Sequence, residues 1–133
     1  MLDHISLAVD NLARSAAFYD PVLATLGYDR IKERAGRIGY GPRERTAPVF
    51  WIIETGDGSR ARPGPGLHVS VMAVDRESVA DFHATALTNG GTDAGAPGDR
   101  PQYTRPFFGA FVIDPDGYKI EAVCRSEPSG SVS

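Results

Sequence analysis

Asp114-Pro115-Asp116-Gly117-Tyr118-Lys119-Ile120-Glu121-Ala122-Val123 is the stretch on which the reading of this chain turns. Proline presets φ and glycine supplies a positive φ, so Asp114 to Gly117 reads as a tight turn. Apolar residues flank it, Gly109 to Ile113 before and Tyr118 to Cys124 after, which is the pattern of a β-hairpin. In the second strand Ile120, Ala122 and Cys124 share one face and Lys119, Glu121 and Val123 the other. Glu121 therefore sits mid-strand among apolar neighbours. It is either an edge-strand residue in water or a buried carboxylate that needs a cation.

Working back toward the N-terminus, Leu2 to Val9 reads as a strand with Leu2, His4, Ser6 and Ala8 on one face. Asp10-Asn11 offers a helix cap, and Leu12, Ala16, Tyr19, Leu23 and Leu26 mark an amphipathic helix that ends at Gly27. Pro21 within it predicts a kink or restart, with Asp20 as a second cap. Tyr28 to Glu33, Arg37 to Tyr40 and Val49 to Glu54 follow as strands, with a loop from Gly41 to Pro48. Thr55 to Gly66 holds four glycines and two prolines and reads as a linker.

Beyond the linker the pattern starts again. His68 to Asp75 repeats His4 to Asp10 with one residue inserted. The helix that follows carries Val79, Phe82, His83, Ala86 and Leu87 on its apolar face and ends at Gly90-Gly91. A weak strand or loop from Thr92 to Ala96 and a polar loop to Pro106 lead into the hairpin. The chain is thus two copies of strand, helix and three strands, an α+β arrangement. Module one spans 1–55, the linker 55–66 and module two 67–125, as one domain; 126–133 lacks apolar content and reads as a disordered tail.

With 133 residues, 41% of them hydrophobic and 23% charged, the composition is that of an ordinary globular domain. A net charge of −3 gives no electrostatic reason to expect nucleic acid or an anionic membrane as partner. The single cysteine, Cys124, excludes an internal disulfide and a multi-cysteine zinc site. With neither a basic-then-apolar leader pattern nor a long apolar run, the reading is a cytoplasmic protein.

His4 and His68 hold equivalent positions in the two copies, each followed two residues later by serine. If the copies pair about a pseudo-twofold axis, the imidazoles converge and Glu121 closes the group. Two neutral imidazoles and a carboxylate form a facial ligand set for a divalent ion. Such a set accepts Fe, Mn, Co, Ni or Zn. His83, on the helix, reads as a packing residue.

His4-Ile5-Ser6-Leu7-Ala8-Val9-Asp10, the duplicated modules and the Asp114 to Glu121 stretch together resemble the vicinal oxygen chelate superfamily across residues 1 to 125. That is the glyoxalase, bleomycin-resistance and extradiol-dioxygenase group. The resemblance implies two βαβββ modules in a half-open barrel whose cup holds a divalent metal chelated by vicinal oxygens of a small-molecule substrate. His4, His68 and Glu121 match the positions that supply the ligands. Glyoxalase I enzymes of the group add a fourth ligand from the last strand of module one, where this chain has Trp51. The loop from Arg100 to Phe108 is expected to overhang the cup, with Tyr103 as the acid–base candidate. Arg100 and Arg105 are candidates for an anionic substrate group, and Trp51, Phe107 and Phe108 for an apolar wall. The expected activity is that of a lyase or isomerase or of a dioxygenase. The alternatives are metal-free sequestration of a drug or metabolite, and a vestigial metal site serving stability. A homodimer is compatible with the resemblance.

Overall fold

Strand, helix and three strands occur twice along the chain, in a computed structural model that describes residues 1–128. The first module holds β1 (Ile5–Val9), α1 (Leu12–Ala24), β2 (Tyr28–Arg34), β3 (Arg37–Pro42) and β4 (Phe50–Glu54). The second holds β5 (His68–Met72), α2 (Arg76–Thr88), β6 (Thr92–Asp99), β7 (Phe108–Ile113) and β8 (Lys119–Cys124). Each module folds its strands into a mixed four-stranded sheet, in the orders β1-β4-β3-β2 and β5-β8-β7-β6. The outer strands β1 and β5 run parallel to β4 and β8, and the remaining pairs are antiparallel. The two sheets do not close on each other, which makes the fold an α+β half-open barrel. Of the tail expected at 126–133, residues 126–128 form neither helix nor strand, and 129–133 lie outside the described residues.

Alternation along the strands gives each sheet a covered face and an open one. Leu7, Val9, Ile38, Tyr40, Phe50 and Ile52 of the first sheet and Ala110, Val112, Ile120, Ala122 and Cys124 of the second point to the helices. There they meet Phe18, Tyr19, Val22 and Leu23 of α1 and Val79, Phe82 and Ala86 of α2 in one continuous core. The helices touch each other, so the modules share that core. The open faces carry His4, Ser6 and Ala8 in one sheet and His68, Ser70 and Met72 in the other, all exposed.

The turn at Asp114 holds the modules together. Asp114 Oδ1 accepts from the backbone N–H of Asp116 (2.9 Å) and of Tyr118 (2.8 Å), and its other oxygen accepts from the Tyr19 hydroxyl of module one. Asp116 accepts from Arg14 (2.7 Å), Ser15 (3.0 Å) and the Asp10 N–H (3.1 Å), and the Tyr118 hydroxyl donates to Ala8 (2.7 Å). Burial raises the pKa of Asp114, and burial with the adjacent carboxylate raises that of Tyr19. Gly117 takes φ +100°, which this turn requires.

Four expectations are corrected. α1 runs unbroken through Pro21, because Tyr19, Val22 and Leu23 are fully buried and their packing outweighs the lost helix hydrogen bond. Asp20 is no cap; it accepts from Tyr40 and Arg30, each at 2.6 Å. Leu87 lies 41% exposed, one 100° step off the face that α2 buries. β6 is a full strand to Asp99 that tolerates Pro97 because it is an outer strand with register shifts.

Candidate metal and ligand site

β8 carries Glu121 onto the open face of the second sheet, opposite Ser70 on β5 and Phe111 on β7. His68, the first residue of β5, lies beside it, with Nε2 3.3 Å from Glu121 Oε1. The imidazole is half-exposed, whereas Glu121 is 4% exposed. Its second oxygen, Oε2, is buried without a hydrogen-bond partner among the described residues. An unpartnered carboxylate oxygen out of water is costly, so the position calls for a cation. Gly109 keeps the space beside that oxygen open. A Cβ there would lie 3.5 Å from Glu121 Oε2 and 3.0 Å from the Phe107 ring.

These two residues line a cavity of about 410 Å3 with Ser70, Tyr103, Phe107 and Phe111. Lys119 and Arg125 also border it. Tyr103 stands 55% exposed at the rim, edge-on to Phe107 with centroids 5.2 Å apart. Phe107, the last residue of the loop that precedes β7, and Phe111 on β7 are both buried.

His4 lies elsewhere. It precedes β1, is exposed, and its Nδ1 is 2.6 Å from Asp3 Oδ1. It borders a separate cavity of about 300 Å3 between β1 and β5, lined also by Ile5, Phe50, Val69 and Met72. Ser70 borders both cavities, so the first strands of the two modules do face each other, but the imidazoles do not converge within one chain. Among the described residues no group of three His, Cys, Asp or Glu side chains is placed to hold a metal ion. The donor types fit a divalent ion, and the orphaned Oε2 fits it too; of the three residues expected as ligands, one chain brings His68 and Glu121 together.

Of the loop residues, the structure brings Tyr103 and Phe107 to His68 and Glu121. Arg100 stacks over Phe111 at 5.7 Å and donates to the Ala96 carbonyl (2.8 Å). Arg105 borders another cavity of about 280 Å3, with Arg76 and Asp99. Phe108 faces the helix side, packed on the core under the Arg76 guanidinium, because it has the parity of Ala110 and Val112. Trp51 is half-buried on the open face of the first sheet, with Arg37 5.2 Å above its ring. Its register partner is Ser6, as that of Glu121 is Ser70. Glu54, at the end of the same strand, accepts from the Leu12 N–H at the start of α1 (2.9 Å). His83 packs in α2 with Nε2 2.9 Å from Asp93, whose pKa that contact lowers.

Lys119, Arg125, Phe111 and Gly109 were not singled out from sequence. Parity with Glu121 was the signal for the first two. Phe111 and Gly109 required the β7–β8 register.

The pattern of the Glyoxalase/Bleomycin resistance protein/Dioxygenase superfamily matches residues 1–122. The lactoylglutathione lyase of Salmonella typhimurium is 33% identical over 129 residues, covering 90% of this chain and 89% of that protein. The crystal structure of a glyoxalase/bleomycin resistance protein from Albidiferax ferrireducens superposes with a TM-score of 0.80 at 32% identity, over 93% of this chain and 98% of that one. A glyoxalase-related enzyme from Fulvimarina pelagi shares the fold, with a TM-score of 0.68 at 20% identity over 93% and 87% of the two chains. The chain belongs to the glyoxalase, bleomycin resistance protein and dioxygenase superfamily.

Proposed function

We propose that this chain is a divalent-metal-dependent enzyme that acts on a small molecule with vicinal oxygens, in a lyase or isomerase reaction. The observation that carries the reading is the buried, unpartnered Oε2 of Glu121 beside the His68 imidazole, opened to a cavity by Gly109. The likeness to a lactoylglutathione lyase favours lyase or isomerase chemistry over ring-cleaving oxygenation. Trp51 stands at the register position that matches Glu121, so module one offers no carboxylate there. For that reason the substrate we propose is not that of the lactoylglutathione lyase.

His68 and Glu121 would hold the ion, and His4 of a second copy would complete the set. What supports a dimer is that each sheet leaves one face open and that His4 and His68 occupy equivalent places on those faces. An ion of the Fe, Mn, Co, Ni or Zn type would supply Lewis-acid stabilisation of negative charge developing on substrate oxygens. The Tyr103 hydroxyl, at the cavity rim, would hold or pass the proton. Phe107 and Phe111 exclude water around the carboxylate. No helix among the described residues is long and apolar enough to cross a membrane, and the free, buried Cys124 accords with the cytoplasm as location.

Elemental analysis of protein never exposed to chelator or nickel resin tests the reading. About one metal per chain is expected in the wild type and none in His68→Ala or His4→Ala. Mixing the two variants should restore about a quarter of the sites, since only a mixed dimer joins an intact His4 to an intact His68. Absence of metal in the wild type, with no thermal shift on adding divalent ions, would replace the reading with metal-free sequestration of a small molecule.

A further inference from the structure

The cavity around His68 and Glu121 holds more positive charge than its one carboxylate balances. Lys119 and Glu121 share the open face of β8, and the same alternation carries Arg125 onto it just past the strand. Lys119 Nζ lies 4.7 Å over the Phe111 ring, and the Arg125 guanidinium lies 4.9 Å over Phe107. Arg125 Nη1 donates to Thr104 Oγ1 at 2.8 Å, which fixes the guanidinium at the mouth of the cavity.

Arg14, Arg30, Arg43, Arg60 and Arg76 each have a carboxylate within ion-pair distance; among the described residues Lys119 and Arg125, like Arg37, Arg100 and Arg105, have none. The Arg125 guanidinium, set over the Phe107 ring, spends only one of its five N–H groups on Thr104. Two cations facing one buried carboxylate make the cavity net positive before any metal binds, and a divalent ion would add to that. Such a field selects anions. The walls between the cations are aromatic: Tyr103, Phe107 and Phe111.

We propose that the substrate is an organic acid with an aromatic or similarly flat apolar body. Its carboxylate pairs with Arg125 at the Thr104 end of the cavity. Its body lies along Phe107 and Phe111, toward His68 and Glu121. Lys119 stands at the opposite end of the strand segment, about 20 Å away along the backbone at the rise of a β-strand, and adds to the positive field. This deepens the preceding reading by naming its substrate class and rests on the same cavity being the active site, but the anion subsite does not require the metal.

Phenylacetate and its neutral counterpart 2-phenylethanol, titrated into chelator-treated protein and followed by amide chemical shifts, test the proposal. Phenylacetate should shift the amides of Phe107, Phe111 and Arg125 and bind at least about tenfold more tightly than the alcohol. Arg125→Gln should lose about tenfold in phenylacetate affinity, and Arg125→Lys, which keeps the charge without the planar fork, should lose less. Metal content should be unchanged in both variants, whose exposed side chain leaves the fold intact. Equal binding of acid and alcohol, no binding of phenylacetate, or full affinity in Arg125→Gln would overturn the proposal while leaving the metal reading intact. A wild type without metal that still shows the Arg125-dependent preference would do the reverse.

Discussion

Ser6 lies opposite Trp51 in the first sheet, and Ser70 lies opposite Glu121 in the second. Around that one register pair the two modules have diverged. In module two the neighbour on β7 is Phe111, and Gly109 keeps space open beside the carboxylate. In module one the neighbour on β3 is Gly39, and the indole fills the space above it, with Pro48 alongside. The topology is duplicated while the chemistry is not: one half keeps an imidazole beside a carboxylate in a cavity, and the other covers the same place with a ring. The modules differ equally in their last connection. The β7–β8 turn of module two reaches across to α1, while the β3–β4 loop of module one packs back onto its own sheet through Pro48.

That last difference should show the largest effect. Asp114→Ala removes the acceptor for two turn N–H groups and leaves the Tyr19 hydroxyl buried without a partner. A loss of about 3 kcal/mol in urea unfolding is expected, with one cooperative transition because the core is shared. Two separated transitions would show instead that the modules are independent.

Gly39→Ala probes the ring-over-glycine arrangement. The new Cβ would stand 2.6 Å from Pro48 Cγ and 3.0 Å from Trp51 Cε3, so a loss of about 2 kcal/mol is expected. A neutral result would mean that Trp51 is loosely held.

Trp51→Glu returns to module one the side-chain type of module two. Under the proposed dimer it adds a ligand beside His4, and zinc affinity measured by chelator competition should rise about tenfold, about 1.4 kcal/mol. Unchanged affinity would separate Trp51 from the metal site.

The smallest effect concerns the helix caps. α1 is capped by Asn11, which accepts from the Arg14 N–H, and α2 by Asp75, which accepts from the Ser78 N–H. Those bonds hold the Asp75 pKa below its ordinary value. Its contribution is therefore present above the unfolded-state pKa and fades as pH falls through the folded-state value. Asp75→Asn keeps a capping oxygen without the charge, so its urea midpoint should match the wild type in strong acid and fall slightly below it near neutrality. A constant difference at all pH values would remove the charge from the explanation.

Much of this architecture was legible in the chain. The repeat of His4 to Asp10 in His68 to Asp75, the two helical spacings and the Asp114 turn predicted the element order, because each is a local signal. Glu121 was legible as a misplaced charge in an apolar strand. Pro21 misled because its cost is local and the packing that outweighs it is not. Phe108 misled because it opens β7 and takes the parity of Ala110 and Val112, whereas it was grouped with the loop before the strand. The separation of His4 from His68 was hidden for a related reason: a repeat fixes equivalence of position, but which open face meets which is decided by packing between whole modules.

Trp51 has one more consequence. It is the single tryptophan of the chain, half-buried on an open face and beneath a guanidinium. Indole emission moves to shorter wavelength when water is removed from the ring. The protein thus carries its own intrinsic fluorophore on the very surface that a second copy would cover, and the colour of its emission on dilution reports, without any label, whether that face is wet or dry.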